Sequence, residues 1–156
     1  MNSVRIIKTE FSDLQAILAL QKQAYMLEAR AVNNYEISPL AQTIENTIED
    51  YEKGFIYKAL DENNNLIGSI RGYIKDGTLY IGKVMVDPEF HNQGLGSRLI
   101  HFIESLSPNL RYELFTNPNN LNNVNFYIKN GYREFRRQRG EHDIEFVYFE
   151  KLPGKP

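Results

Sequence analysis

Hydrophobic positions along this chain follow two periods, and the switches between them mark out its elements. Residues 3–8 (SVRIIK) read as a strand. After Ser12-Asp13, a helix start, Leu14, Ile17, Leu18, Ala24 and Tyr25 recur at helical spacing on one face. The polar stretch 33–39 breaks that helix. Ser38-Pro39 then fits an N-cap followed by proline in the first turn, and Leu40, Ile44, Ile48 and Tyr51 run down a second helix that Gly54 ends. Strands are expected at 55–60, 66–74 and 78–86, the last two joined by Asp76-Gly77, a hairpin signature.

Asp87-Pro88 closes the strand at 78–86, because proline cannot donate to a ladder and restrains the residue before it. A glycine loop follows, His91-Asn92-Gln93-Gly94-Leu95-Gly96-Ser97. From there Leu95, Leu99, Phe102, Ile103 and Leu106 line one face of a helix that Ser107-Pro108 breaks. A strand at 110–116 and a short helix at 121–130, closed by Gly131, come next. Strands at 132–138 and 143–150 form a last hairpin, and the tail 153–156 is expected to fray. The order β-α-α-β-β-β-α-β-α-β-β predicts an α+β (mixed α/β) fold, one domain over residues 1–152, and not a repeating βαβ array.

Composition acts mainly by exclusion. The chain has 156 residues, a formal net charge of -2 and no cysteine. The charge argues against a general nucleic-acid binder, and the missing cysteines remove disulfides, thiolate metal sites and a thiol nucleophile. Three scattered histidines lack metal-ligand spacing, so no metal is expected. No apolar run approaches membrane-spanning length and the first residues lack a signal-peptide core, so a cytoplasmic protein with no membrane partner is expected.

The glycine loop is a candidate anion cradle. A helix N-terminus offers unpaired N–H groups and a positive dipole end, and glycines there remove side chains that would hold a phosphate away. A dinucleotide-binding domain would use the same device. Leu99 in place of a third glycine, and the missing βαβ repeat, count against that reading.

Two segments together make the chain resemble the GNAT superfamily of acyl-CoA-dependent N-acyltransferases. The first is the loop from His91 to Gly96, where the family writes Gln/Arg-x-x-Gly-x-Gly/Ala; here His91 stands for Gln or Arg. The second runs from Asn120 to Tyr132, against Asn-x-x-Ala-x-x-Leu/Phe-Tyr-x-x-x-Gly-Phe. Asn120, Phe126, Tyr127 and Gly131 match, Tyr132 replaces one aromatic with another, and Asn123 occupies the small-residue position. The resemblance implies a central mixed, mostly antiparallel sheet of about seven strands with about four helices.

It also implies direct transfer of an acetyl group from acetyl-CoA to an amine of a small molecule or peptide, with no metal. The loop residues His91, Asn92, Gln93, Gly94, Leu95, Gly96, Ser97 and Arg98 would then hold the pyrophosphate, with Lys129 a further phosphate candidate. Met85 and Val86 would pair with the pantetheine arm as an added strand does, and Asn120 would complete the cofactor contacts. Tyr127 matches the family's general acid for the departing thiolate. The base is not fixed in the family. Glu28, Glu36 and Glu113 are the candidates, Glu28 and Glu36 because they flank the break between the first two helices; for any single one of them a solvated surface carboxylate is the favoured reading. The alternative to an enzyme is a non-catalytic acyl-CoA sensor or partner-binding module, and a homodimer is common among relatives.

Overall fold

The computed structural model describes residues 3–32, 38–140 and 143–154. Seven strands form one sheet: β1 (Arg5–Lys8), β2 (Phe55–Leu60), β3 (Leu66–Lys75), β4 (Thr78–Val86), β5 (Arg111–Thr116), β6 (Arg133–Arg139) and β7 (Glu145–Lys151). Their spatial order is β1-β2-β3-β4-β5-β7-β6. Only β4 and β5 pair in parallel; every other neighbour is antiparallel. The expected sheet is therefore present. Asp76 and Gly77 turn the β3–β4 hairpin with φ of 50° and 77°, the left-handed backbone that a two-residue turn requires.

The described helices are α1 (Leu14–Val32), α2 (Ser38–Ala41), α3 (Ile44–Lys53), α4 (Leu95–Leu106) and α5 (Leu121–Lys129). Two boundaries differ from expectation. A single 3-10 turn over Phe11–Asp13 precedes α1 and is capped by Glu10, so Ser12-Asp13 lies inside that turn. The helix expected from Ser38 onward is two helices, because Thr43 adopts an extended backbone and caps α3. Its hydroxyl accepts the Asn46 N–H at 3.2 Å, and Asn46 Oδ1 accepts the Thr43 N–H at 3.0 Å.

α1 and α3 bury Leu14, Ile17, Ile44, Ile48 and Tyr51 against Ile56 on one face of the sheet. α4 and α5 cover the other face, where Leu95, Leu99, Ile103 and Tyr127 meet Ile70, Leu79, Leu114 and Phe149. Strand alternation explains the division: Ile56 points to one layer while Phe55, Tyr57 and Ala59 point to the other. β6 forms one sheet edge and is exposed along its whole length. Its arginines pair with acidic neighbours, Arg137 with Glu134 at 2.9 Å and Arg139 with Asp143 at 2.8 Å. Charges of this kind discourage edge-to-edge pairing, and they account for the basic cluster at 133–139.

Candidate active site

The site begins where two strands part. β4 and β5 pair only through Thr78–Arg111, Leu79–Tyr112 and Tyr80–Glu113. Beyond Tyr80 the two strands diverge, and among the described residues no strand pairs with the later half of β4 on that side. β4 also carries a bulge: its register against β3 shifts between Ser69 and Arg71, opposite Lys83, which has φ of 50°.

Backbone alternation assigns the groups at the strand end. The Asp87 N–H donates to Ile67 O at 2.8 Å, toward β3. The Met85 backbone, opposite Ser69, therefore also faces β3, and the Val86 backbone faces the gap. Met85 and Val86 were both expected to pair with a pantetheine arm. Only Val86 turns its backbone to the gap, and the Met85 side chain is buried at 2% exposure. His91 Nε2 lies 3.1 Å from the Val86 carbonyl, so this histidine fastens the loop to the strand end.

Gly94 is the N-cap of α4, with φ of 82°. A Cβ there would have no neighbour within 4 Å, so the space before the helix is open. The first helical bond runs from the Arg98 N–H to Gly94 O at 3.1 Å. The N–H groups of Leu95, Gly96 and Ser97 precede it and point out of the helix end. Gly96 does not fit the expectation that it clears room for phosphate. A Cβ on Gly96 would stand 3.0 Å from the Phe126 ring, so its missing side chain admits α5 instead. Arg98 donates from Nη2 to Val4 O at 3.2 Å, which ties α4 to the start of the chain.

A cavity of about 930 Å³ opens beside the gap, lined among others by Tyr25 and Glu28 of α1, Arg71 of β3, Lys83 of β4, and Asn123 and Tyr127 of α5. Glu28 lies near Tyr25 and Gln21 on one face of α1. Its Oε1 accepts from Asn120 Nδ2 at 3.1 Å and from Asn123 Nδ2 at 3.2 Å. Burial raises the Glu28 carboxyl above its ordinary range, and the two amides only partly offset this. Tyr127 is 7% exposed, its ring packed beside Phe126, Tyr132 and Phe149. Burial, then the Glu28 charge, push its hydroxyl well above the usual tyrosine range, so it stays protonated at neutral pH.

Asn120 therefore has a different place from the one expected. It caps α5, with Oδ1 accepting the Asn123 N–H at 3.2 Å, and its amide holds Glu28. Glu113 also lines the cavity, and its carboxylate is ion-paired with Arg111 at 2.8 Å. Glu36 lies outside the described residues. Lys129 is exposed in the last turn of α5, where a cation complements the helix dipole.

Sequence reasoning missed three residues here. Asn123, read only as a departure from a motif, supplies half of the Glu28 clamp. Arg71, at 5% exposure, links three elements: its Nη1 reaches Asp50 Oδ2 and its Nη2 reaches Gln21 Oε1, both at 3.1 Å. Lys83 stands in the β4 bulge with its side chain on the cavity. Arg71 and Lys83 carry a signal in the sequence, since each is a cation interrupting an otherwise apolar strand.

The acetyltransferase (GNAT) family model matches residues 14–132. No curated protein sequence matches the chain. Among solved structures, the ribosomal-protein-S18-alanine N-acetyltransferase from Escherichia coli is 15% identical with a TM-score of 0.78, over 98% of this chain and 96% of that one. PaiA N-acetyltransferase from Thermoplasma acidophilum, in complex with coenzyme A, is 17% identical with a TM-score of 0.76, over 96% and 99%. Spermidine N-acetyltransferase from Vibrio cholerae, in complex with CoA and spermine, is 17% identical with a TM-score of 0.75, over 97% and 96%. At these identities the likeness is one of fold.

Proposed function

The chain belongs to the acetyltransferase (GNAT) family, and from that premise we propose that it moves an acetyl group from acetyl-CoA directly to a primary amine of a small molecule or peptide. The observation that carries this reading is the meeting of Glu28 and Tyr127 on one cavity beside the β4–β5 gap. Two features suit the cofactor. The outward N–H groups of Leu95, Gly96 and Ser97, before an open Gly94, fit a pyrophosphate. The unpaired edge of β4, with the Val86 backbone turned to it, fits the amide-bearing arm. Two of the structural neighbours were solved with coenzyme A.

Acetyl-CoA supplies an activated thioester when bound. The protein's own contributions are positional and acid–base. Glu28, held by Asn120 and Asn123 and raised by burial, accepts the proton that an incoming ammonium must lose before nitrogen can attack. Tyr127, kept protonated, donates toward the departing sulfur. Neither group needs to move, because both rest on helices anchored in the core.

The test is Tyr127→Phe. Turnover should fall ~100-fold, the scale of a lost general acid, while acetyl-CoA affinity stays within twofold. An equal loss of affinity and turnover would give Tyr127 a packing role only.

A further inference from the structure

Among the described residues, the acidic and basic side chains around the cavity divide into those with a hydrogen-bond or ion-pair partner and one without. Glu28 is held by two amides, Asp50 by Arg71 and Gln42, Glu113 by Arg111, and Lys53 by Glu49. Lys83 lines the same space, and among the described residues its ammonium makes no hydrogen bond or ion pair. Beside it, the Arg71 guanidinium spends two nitrogens on Asp50 and Gln21, while its buried Nε–H has no partner. Burial disfavours the charge on Lys83, repulsion from Arg71 adds to that, and the Asp50 carboxylate opposes both. A half-buried ammonium with no direct hydrogen-bond or ion-pair partner among the described residues is costly unless something else satisfies it. An incoming carboxylate would satisfy the ammonium through a charge-assisted hydrogen bond, with the Arg71 guanidinium adding its positive charge from behind.

The anion does not come from the cofactor's phosphates on this reading. Lys83 precedes Val86 by three strand residues, ~10 Å at the usual rise, and the loop at Gly94 lies beyond the strand end. The intervening stretch would run beside the uncharged pantetheine arm. The base and the acid lie on the same cavity, so an anion at Lys83 would sit within the acceptor's own space.

We propose that Lys83, with the Arg71 charge behind it, forms an anion subsite, and that the acceptor is an amine that also carries a carboxylate. This rests on the acetyltransferase reading and narrows its substrate class. It disfavours polyamines, whose added positive charges would meet Lys83 uncompensated.

The experiment titrates the full chain, saturated with free coenzyme A, with four pairs of ligands: tyrosine and tyramine, phenylalanine and phenethylamine, ornithine and putrescine, lysine and cadaverine. At least one amino acid should bind ~10-fold or more tightly than its decarboxylated partner, the scale of one hydrogen bond to a charged group. Lys83→Met should erase that preference and Lys83→Arg should largely restore it, with thermal unfolding confirming that both variants fold. No carboxylate preference in any pair, or a preference that Lys83→Met leaves intact, would overturn the proposal. A separate titration with acetyl-CoA tests the reading beneath it. A carboxylate preference without acetyl-CoA binding would sink the acetyltransferase reading and leave the subsite standing.

Discussion

The two ends of the gap between β4 and β5 are built by different means. At the loop end, seven consecutive residues from His91 to Ser97 make the site, and its working groups are backbone N–H. At the cavity end, Glu28, Arg71, Lys83, Asn123 and Tyr127 come from four separate elements of the chain and present side chains. A site made of backbone N–H groups makes few demands on side-chain identity. A side-chain site depends on who holds whom: Glu28 is what it is because Asn120 and Asn123 grip it. The difference teaches that the loop speaks for the cofactor shared by a family, while the cavity speaks for this chain's own acceptor.

The comparison can be broken most sharply at Gly94. Gly94→Glu puts a carboxylate into the open space before the α4 N-terminus and forces a side chain into a left-handed backbone. Acetyl-CoA affinity by calorimetry should drop ~100-fold or more. Retained affinity would move the phosphate site elsewhere. At the other end, Glu28→Gln should cut turnover by ~100-fold, leave acetyl-CoA affinity nearly unchanged, and remove the acid limb of the pH profile. In the parent protein that limb reports Glu28. The base form is lost as pH falls, and burial raises the carboxyl, so the midpoint should lie above the ordinary ~4.3 of a glutamate. A limb that persists in Glu28→Gln would assign the base to another group.

Smaller effects sharpen the contrast. Asn123→Ala removes one of the two amides on Glu28 together with the contact to Thr116 Oγ1. The acid limb should shift to higher pH, because a hydrogen bond that favours the charged form is gone, and stability should fall by about 1 kcal/mol. An unmoved limb would remove Asn123 from the clamp. Gly96→Ala should cost about 1 kcal/mol by thermal unfolding, since its Cβ meets the Phe126 ring, with Phe126→Leu restoring part of the loss. Weaker acetyl-CoA binding without loss of stability would show that the missing Gly96 side chain clears room for phosphate and not for α5.

Legibility in the sequence follows the same division. The sheet was readable because hydrophobic alternation is local, and the α4 face at Leu95, Leu99 and Ile103 because helical spacing is local. The loop was readable because its function lies in consecutive residues. Thr43 was not seen as a cap, since Leu40 and Ile44 keep the helical period across it and the break comes from one hydroxyl bonding Asn46. Gly96 looked like its neighbour Gly94 because spacing cannot say that α5 packs against it. The Glu28 clamp was hidden for a stronger reason: its partners lie 92 and 95 residues away, and only the fold brings them together.

The central claim is that this gap holds an acyl-CoA. The most direct measurement is calorimetric titration of the full chain with acetyl-CoA, run beside free coenzyme A and NAD. Acetyl-CoA should bind in the micromolar range, free coenzyme A should bind as well, and NAD should not. No heat with acetyl-CoA, or equal binding of NAD, would contradict that claim.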